Sequence, residues 1–270
     1  MPVQTRDNDE GDLWDPPVAT ILAPSIPGLH FDPNVLLDQS YADELARTVI
    51  PYFQGDSNQV MLFGRAASHD GELPGGLPIF VSDLITRLSN LLRDRLPEST
   101  HSLLFPAMPS DHIYPTRQVI LNLYRPGEGI TPHVDLLQRF GDGILGVSLL
   151  SGTAMSLTPA SSSELWDDDN EDEPTTTHQI YLPARSIIVL EKEARYHWKH
   201  GIHARKQDFV ESGEAAGNIW RDRHVRVSIT IRWLLPGADV VGGEDGDGPQ
   251  PGVSCDEFGI YPIGVVRPRP

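Results

Sequence analysis

From about residue 117 onward the chain consists of short apolar segments, and this pattern constrains the fold more than any other feature. Each segment has the length of a β-strand and is bounded by glycine, proline or polar residues. We predict seven strands in this half of the chain, at 119–124, 143–150, 154–158, 179–182, 186–191, 195–201 and 224–235. Short strands separated by turns are typical of a β-sandwich or a β-barrel. The length of 270 residues allows one large domain of this kind.

The part of the chain before these strands predicts two helices and one further strand. The first helix begins at Ser40, a candidate N-cap, and ends before Pro51. The second begins at Ser82 and carries leucines at helical spacing. A strand is predicted at 59–64, and residues 103–115 have the composition of a loop. The expected fold class is therefore mainly β (α+β), with N-terminal helices flanking a β-core.

Composition divides the chain into one folded domain and three polar segments. Residues 1–15 are predicted to form a disordered acidic tail, and the folded domain is expected at 16–235. An acidic insertion at 159–178 lies between two of the strands, and residues 236–270 form a low-complexity C-terminal tail. We expect these segments to keep the protein in solution rather than to contribute to the core.

The formal net charge of -17 is concentrated in these polar segments. Residues 1–15 carry -4, residues 164–173 carry -7 and residues 239–270 carry -4, which leaves -2 for the rest of the chain. The presumed core is therefore close to neutral, and the overall acidity does not exclude a nucleic acid as substrate.

Cysteine content and hydropathy indicate the compartment. The single cysteine, Cys255, excludes a disulfide within the chain and argues against a thiolate metal site. The acidic N-terminus lacks the apolar stretch of a secretory signal, and no apolar run approaches the roughly 18 residues of a membrane span. We therefore expect an intracellular monomer, in the cytoplasm or the nucleus, with no membrane partner.

His133 and Asp135 are candidate metal ligands. On an extended segment, residues two apart project from the same side of the backbone, so an imidazole and a carboxylate can bind one ion. A second histidine would complete the two-histidine, one-carboxylate set of non-haem Fe(II) oxygenases. The candidates for it are His197, His200 and His203. Strand alternation places His200 beside two aromatic side chains, which favours it modestly and leaves His197 open.

Within the segment at 224–235, residues 225–233 alternate strictly between apolar and polar residues. Its polar positions include Arg226, Ser228 and Arg232. The residues alone favour an amphipathic strand whose polar face lies in water. In the alternative, this face points into a barrel and binds an anion, a task that suits the planar guanidinium of arginine.

Four linked motifs resemble the AlkB family of Fe(II)/2-oxoglutarate dioxygenases. They are N-L-Y-x-P-G-x-G-I-x-P-H-x-D at 122–135, L-P-x-R-S-I-I-V-L at 182–190, A-R-Y-x-W-x-H-G-I at 194–202 and R-x-S-x-T-x-R at 226–232. The upstream segments at 26–29 and 60–64 resemble, more loosely, the part of the family that forms a nucleotide-recognition lid. The acidic insertion at 159–178 departs from the compact family pattern.

The resemblance implies a double-stranded β-helix (jelly-roll) core and assigns roles to particular residues. It implies iron ligation by His133, Asp135 and His200, with His200 as the ligand that ends the A-R-Y-x-W-x-H motif. It also implies that five residues bind 2-oxoglutarate: Asn122, Tyr124, Arg226, Ser228 and Arg232.

The implied cofactor and co-substrates are Fe(II), 2-oxoglutarate and O2. The implied reaction is oxidative demethylation or hydroxylation of alkylated nucleobases in DNA or RNA, presented single-stranded or flipped out, with release of succinate, CO2 and formaldehyde. The alternative is a dioxygenase that hydroxylates or demethylates a protein side chain or a small molecule. A catalytically inactive binding module is disfavoured because every ligand position is filled.

Overall fold

Two antiparallel β-sheets enclose the centre of the molecule. The computed structural model describes residues 17–55, 57–64, 76–106, 116–160, 176–212, 217–235, 238 and 265–266. The strands in these ranges are β1 Leu29–Leu36, β2 Gln59–Phe63, β3 Arg117–Tyr124, β4 Gly129–His133, β5 Ile144–Leu149, β6 Thr153–Pro159, β7 His178–Leu182, β8 Ser186–Leu190, β9 Trp198–Ile202, β10 Gln207–Val210, β11 Ile219–Asp222, β12 Arg226–Trp233 and β13 Val265–Val266.

The order of the strands confirms the expected double-stranded β-helix. One sheet has the order β1-β8-β5-β12-β3-β2, the other has the order β13-β4-β9-β6-β7, and β10 and β11 form a separate ribbon. From β3 onward the chain passes repeatedly between the two sheets, and each new strand pairs antiparallel with its neighbours. The fold is therefore mainly β, as predicted.

Four α-helices accompany the sheets in the described residues. They are α1 Gln39–Val49, α2 Ile79–Leu92, α3 Glu98–Leu104 and α4 Lys192–Tyr196. The apolar faces of α1 and α2 share one core with the apolar side chains of β12, among them Val227 and Ile229. This packing removes the apolar face of β12 from water and turns its polar face towards the other sheet. No helix in the described ranges is long and apolar enough to cross a membrane.

The helix starts differ from the prediction. The N-cap of α1 is Asp38, not Ser40, because a side-chain oxygen of Asp38 accepts a hydrogen bond from the backbone N–H of Tyr41. Helix α2 begins three residues before Ser82, since the carbonyl of Pro78 already accepts from the backbone N–H of Val81. Asp38 and Ser40 are both residue types that cap helices, so residue type alone does not decide which of them is the N-cap.

Two further assignments were wrong or incomplete. The predicted strand at 195–201 is in fact the end of α4 followed by β9, and the predicted loop at 103–115 begins inside α3. Strands β1, β4, β10, β11 and β13 were not among the predicted strands. Strand β1 contains an Asp-Pro pair and shifts register against β8, so it lacks the regular alternation that signals a strand. Residues 107–115 lie outside the described ranges.

The polar segments lie largely outside the described residues. The acidic stretch at 164–173 falls between β6 and β7, which pair as an antiparallel hairpin with Leu157 opposite His178. Residues 1–16 are also outside, as is most of the tail at 236–270. Near the end of that tail, however, Val265–Val266 adds a short strand to the edge of β4.

Candidate active site

His133, Asp135 and His200 meet between the sheets. His133 ends β4 and lies opposite His200 in the register of β4 with β9, while Asp135 follows two residues after His133. The Nε2 atoms of His133 and His200 lie 3.4 and 3.9 Å from Oδ1 of Asp135. One potential ligand atom from each residue lies within 4.8 Å of the others. Two imidazole nitrogens and one carboxylate oxygen can therefore reach a common ion.

The ring of His133 is oriented by its own strand. Its Nδ1 lies 2.8 Å from the carbonyl oxygen of Thr131, and a carbonyl oxygen can only accept a hydrogen bond. Nδ1 therefore carries the proton, which leaves the lone pair of Nε2 pointing towards Asp135. Fixing the tautomer in this way is a common device around metal-binding histidines.

Asp135 is a buried carboxylate held in its ionised form. Only 4% of the residue is exposed, and Nη1 of Arg232 donates a 2.5 Å hydrogen bond to its Oδ2. Burial by itself raises the pKa of Asp135, but the contact with His133 and the positive charge of Arg232 outweigh it and lower the pKa. With Oδ2 bound by Arg232, Oδ1 is the oxygen that faces the two imidazoles.

His200 is held in the neutral form that binds metals. Burial, together with the neighbouring His133, lowers the pKa of His200 to about 3. A neutral imidazole offers a lone pair that an imidazolium lacks. The two rings lie 4.5 Å apart, centroid to centroid.

A cavity of about 70 Å³ extends from these three residues towards the beginning of β12. Isoleucines from both sheets, including Ile120, Ile188 and Ile202, form its apolar walls. Arg226 lies in the same cavity and is only 6% exposed. Its Nη2 donates to Oγ of Ser148 at 2.9 Å, whereas Nε and Nη1 have no hydrogen-bond partner among the described residues. When a buried charged group has N–H donors that lack hydrogen-bond partners, an anionic ligand can satisfy them.

Uncharged polar groups surround Arg226. Ser228 lies between Asn122 of β3 and Ser148 of β5 in the register of the sheet, and Arg226 lies opposite Tyr124. Burial raises the pKa of Tyr124, so its phenol stays protonated and can donate a hydrogen bond. The amide of Asn122 is oriented by Gln59 of β2, whose Nε2 donates to its Oδ1 at 2.8 Å.

The structure brings all the predicted site residues to one cavity. Its lining includes the three metal-ligand candidates and the five co-substrate candidates: Asn122, Tyr124, His133, Asp135, His200, Arg226, Ser228 and Arg232. His197 and His203 are exposed and do not line it. The interpretation that the polar face of β12 lies in water is wrong, because Arg226, Ser228 and Arg232 are at most 7% exposed.

Some neighbours of these residues were not predicted. Gln59 and Ser148 line the cavity, and Gln118 accepts a 2.8 Å hydrogen bond from Nε of Arg232. Alternation within their strands would have placed each of them on the inner face, but only once the pairing of the strands was known. Arg195, which belongs to a quoted motif, was given no role, although it contacts the backbone of Asp135.

Comparison with known proteins gives a consistent family. The family model described as "2OG-Fe(II) oxygenase superfamily" matches residues 77–232. A protein of Acanthamoeba polyphaga mimivirus named "Uncharacterized protein L905" is 37% identical over 118 residues, which are 44% of this chain and 48% of that protein. The Xenopus tropicalis protein "tRNA (carboxymethyluridine(34)-5-O)-methyltransferase alkbh8" is 28% identical over 244 residues, 80% of this chain and 33% of its own length.

A plant relative carries a related name. The Arabidopsis thaliana protein "Alkylated DNA repair protein ALKBH8 homolog" is 30% identical over 164 residues, which are 58% of this chain and 42% of that protein. The chain thus spans about half the length, or less, of these curated relatives.

Proposed function

Because the chain belongs to the 2OG-Fe(II) oxygenase superfamily, we propose that it is an Fe(II)- and 2-oxoglutarate-dependent dioxygenase that oxidises alkyl groups on the bases of DNA or RNA. One observation carries the proposal. Three potential ligands of one metal ion share one cavity with a buried guanidinium that has unpartnered N–H groups. A metal site beside an anion site is the arrangement that this chemistry requires.

The three ligand side chains fit Fe(II). Two neutral imidazoles and one carboxylate on one side of an ion form the facial set that non-haem Fe(II) oxygenases use, and they leave other coordination positions open. In this proposal His133, Asp135 and His200 hold the iron. The hydrogen bond from Arg232 to Oδ2 of Asp135 keeps Oδ1 available as a single-oxygen ligand.

The rest of the cavity fits 2-oxoglutarate, a dianion. Its charged side chains are two arginines and one aspartate, so a divalent ion raises the positive charge further and a dianion compensates most of it. Arg226 would bind a carboxylate through the N–H groups that lack partners. Tyr124, Asn122 and Ser228 would add hydrogen bonds, and Arg232 would contribute its charge at the metal end of the cavity.

Bound iron supplies the activation of O2, with 2-oxoglutarate converted to succinate and CO2 while the substrate C–H bond is oxidised. The chain's own contribution is to bind, to orient and to keep water out. The isoleucine walls exclude water, which strengthens the contact of Arg226 with a carboxylate. The neutral His200 and the ionised Asp135 are already in the protonation states that metal binding needs, so no proton has to be moved first.

Two observations support a nucleic acid as substrate. Relatives bear names that refer to tRNA and to alkylated DNA. In addition, Gln59, Met61 and Phe63 alternate along β2, so they share the face on which Gln59 lines the cavity. Met61 and Phe63 are each 42% exposed. We propose that these two apolar side chains contact the base, in line with the resemblance of this segment to a nucleotide-recognition lid.

The test is product release from a panel of substrates. The purified protein with Fe(II) and 2-oxoglutarate would be offered methylated single-stranded DNA, methylated RNA, methylated nucleosides and methylated peptides. Formaldehyde and succinate in equal amounts with an oligonucleotide support the proposal, and His200→Ala serves as the inactive control. Product with peptides or nucleosides only would contradict the nucleic-acid assignment and leave the dioxygenase assignment intact. If no substrate of the panel gives product and no succinate is released without substrate, both the nucleic-acid assignment and the dioxygenase assignment are contradicted.

A further inference from the structure

The buried guanidinium of Arg195 is the most unusual charged group outside the cavity. Arg195 lies in α4, is 2% exposed and is the largest of the fully buried side chains in the described residues. No carboxylate among the described residues forms an ion pair with it. A buried charge is costly unless its hydrogen-bonding groups are satisfied, so the partners of Arg195 indicate what it is for.

Those partners are backbone carbonyls of one loop. Nη1 donates to the carbonyl of Asp135 at 2.9 Å and Nη2 to that of Phe140 at 3.2 Å. Longer contacts of 3.5 and 3.4 Å join Nη2 to the carbonyl of Leu136 and Nε to that of Gly141. The guanidinium therefore binds both ends of the segment 135–141, which we call the ligand loop.

The ligand loop leaves β4 directly after His133, and at its far end Phe140 forms an isolated antiparallel bridge with Leu234. Strand pairing therefore positions the end of the loop but not Asp135. Strand β4 ends at His133, and β5 does not begin until Ile144. Inside the loop, Phe140 also packs under the guanidinium of Arg232, 3.5 Å from ring centroid to Cζ, and Arg232 binds the carboxylate of Asp135. The position of Asp135 thus depends on two arginines, one at its carboxylate and one at its carbonyl.

Arg195 also belongs to the segment that carries His200. The two residues are five positions apart, and α4 is followed directly by β9. A side chain that binds the ligand loop therefore ties Asp135 to the strand that presents His200. We propose that Arg195 is a positioning residue of the metal site, which holds Asp135 at the distance from His200 that one ion requires.

Arginine is needed for this role because of its shape. Its planar fork presents five N–H donors in fixed directions, and here they reach four carbonyls that lie roughly around it. Lysine keeps the charge but has three donors on a single nitrogen and cannot span both ends of the loop. Glutamine keeps two donors and loses the charge.

The experiment measures metal binding directly, with Co(II) as the probe. Wild type, Arg195→Lys and Arg195→Gln would be titrated with Co(II) and followed by its visible absorption, after circular dichroism has shown each to be folded. The matched control is Arg185→Lys, since Nη1 of Arg185 donates to the carbonyl of Leu37 at 2.8 Å, away from the cavity. Supporting partners of metal ligands typically contribute about 10–100-fold to metal affinity, and we expect both Arg195 variants to lose affinity in that range.

A second readout separates positioning from general stability. In turnover assays the apparent KM for Fe(II) should rise in Arg195→Lys, saturating Fe(II) should restore much of kcat, and the KM for 2-oxoglutarate should stay unchanged. Co(II) affinity equal to wild type would overturn the inference, as would failure of both variants to fold, which would assign Arg195 to the core alone. The inference rests on the proposed metal site: if wild type itself binds no Co(II), that site and the inference fail together, whereas equal binding by all variants removes only the inference.

Discussion

Two buried aspartates, Asp135 and Asp208, have similar surroundings but differ in the acceptor positions that they leave open. Both are at most 4% exposed, both contact arginine, and both have a pKa below the ordinary value. They differ in how many acceptor positions the protein itself occupies. For Asp135 the arginine contact is limited to Oδ2, and Oδ1 faces two imidazoles.

Asp208, on β10, is saturated with donors. Its Oδ1 accepts from Nε of Arg205 and Nη2 of Arg223, and its Oδ2 accepts from Nε of Arg223 and the backbone N–H of Ala154. These four hydrogen bonds of 2.7–3.0 Å leave no oxygen for a ligand. Burial, charge and a lowered pKa therefore do not distinguish a candidate metal ligand from a structural ion pair, whereas the unused acceptor does.

The largest expected effect is the loss of turnover when Asp135 or one of the two histidines beside it is removed. His133→Ala, Asp135→Ala and His200→Ala should each abolish product formation, because two ligands hold Fe(II) poorly. His197→Ala is the matched control, since His197 is exposed and should retain most activity. The measurement is succinate release with saturating 2-oxoglutarate. Full activity in His200→Ala would refute the ligand assignment.

When Asp208 is replaced, the expected loss is in stability rather than in catalysis. Asp208→Ala leaves Arg223, which is 6% exposed, without its buried partner, and breaking such a pair costs about 3–5 kcal/mol. The free energy of unfolding from denaturant titration should fall by that order, while Co(II) affinity of the folded protein stays as in wild type. A loss of metal affinity without a loss of stability would reverse the roles assigned to the two aspartates.

Replacing the two inward-facing arginines of β12 by lysine should give the next smaller effect. Arg226→Lys keeps the charge and loses the fork, so the apparent KM for 2-oxoglutarate should rise roughly tenfold or more, as expected for losing a charge-assisted hydrogen bond. Arg232→Lys should also impair the use of 2-oxoglutarate and should in addition weaken metal binding, because Arg232 contacts Asp135. The control is Arg47→Lys on the exposed side of α1. Unchanged KM values in both variants would show that this face does not bind the co-substrate.

The smallest expected effect is a pH dependence of the free energy of unfolding that comes from Asp208. Burial raises the pKa of Asp208, but the hydrogen bonds and charge of Arg223 outweigh it, so the folded-state pKa lies below the ordinary value of 3.8. The contribution of Asp208 to stability is therefore fully present above pH 3.8 and is lost as the pH falls through the folded-state pKa. Unfolding titrations at acid pH should show a shallower decline in Asp208→Asn than in wild type. Identical slopes would mean that Asp208 is not an ionised acceptor.

Local patterns in the sequence were enough to group the site residues by strand face. The period of two along β12 places Arg226, Ser228 and Arg232 together. The jelly-roll core, in contrast, was implied by the family resemblance that the quoted motifs carry. Alternation also favoured His200, although only the stretch from Trp198 onward is extended and Tyr196 ends a helix. In these cases the sequence contains the whole interaction, because the residues that share a face lie a few positions apart.

Only the tertiary structure decided which face points inward and which charges are satisfied. The period of two is the same whether the polar face of β12 meets water or a cavity, and the packing of α1 and α2 against Val227 and Ile229 removes that ambiguity. Arg195 lies 60 residues from Asp135 in the sequence, and Asp208 lies 54 residues from Ala154. The acceptors of Arg195 and the donor at Ala154 are backbone groups, so no side-chain pattern marks these contacts. Whether an aspartate keeps a free oxygen is therefore a property of the folded chain.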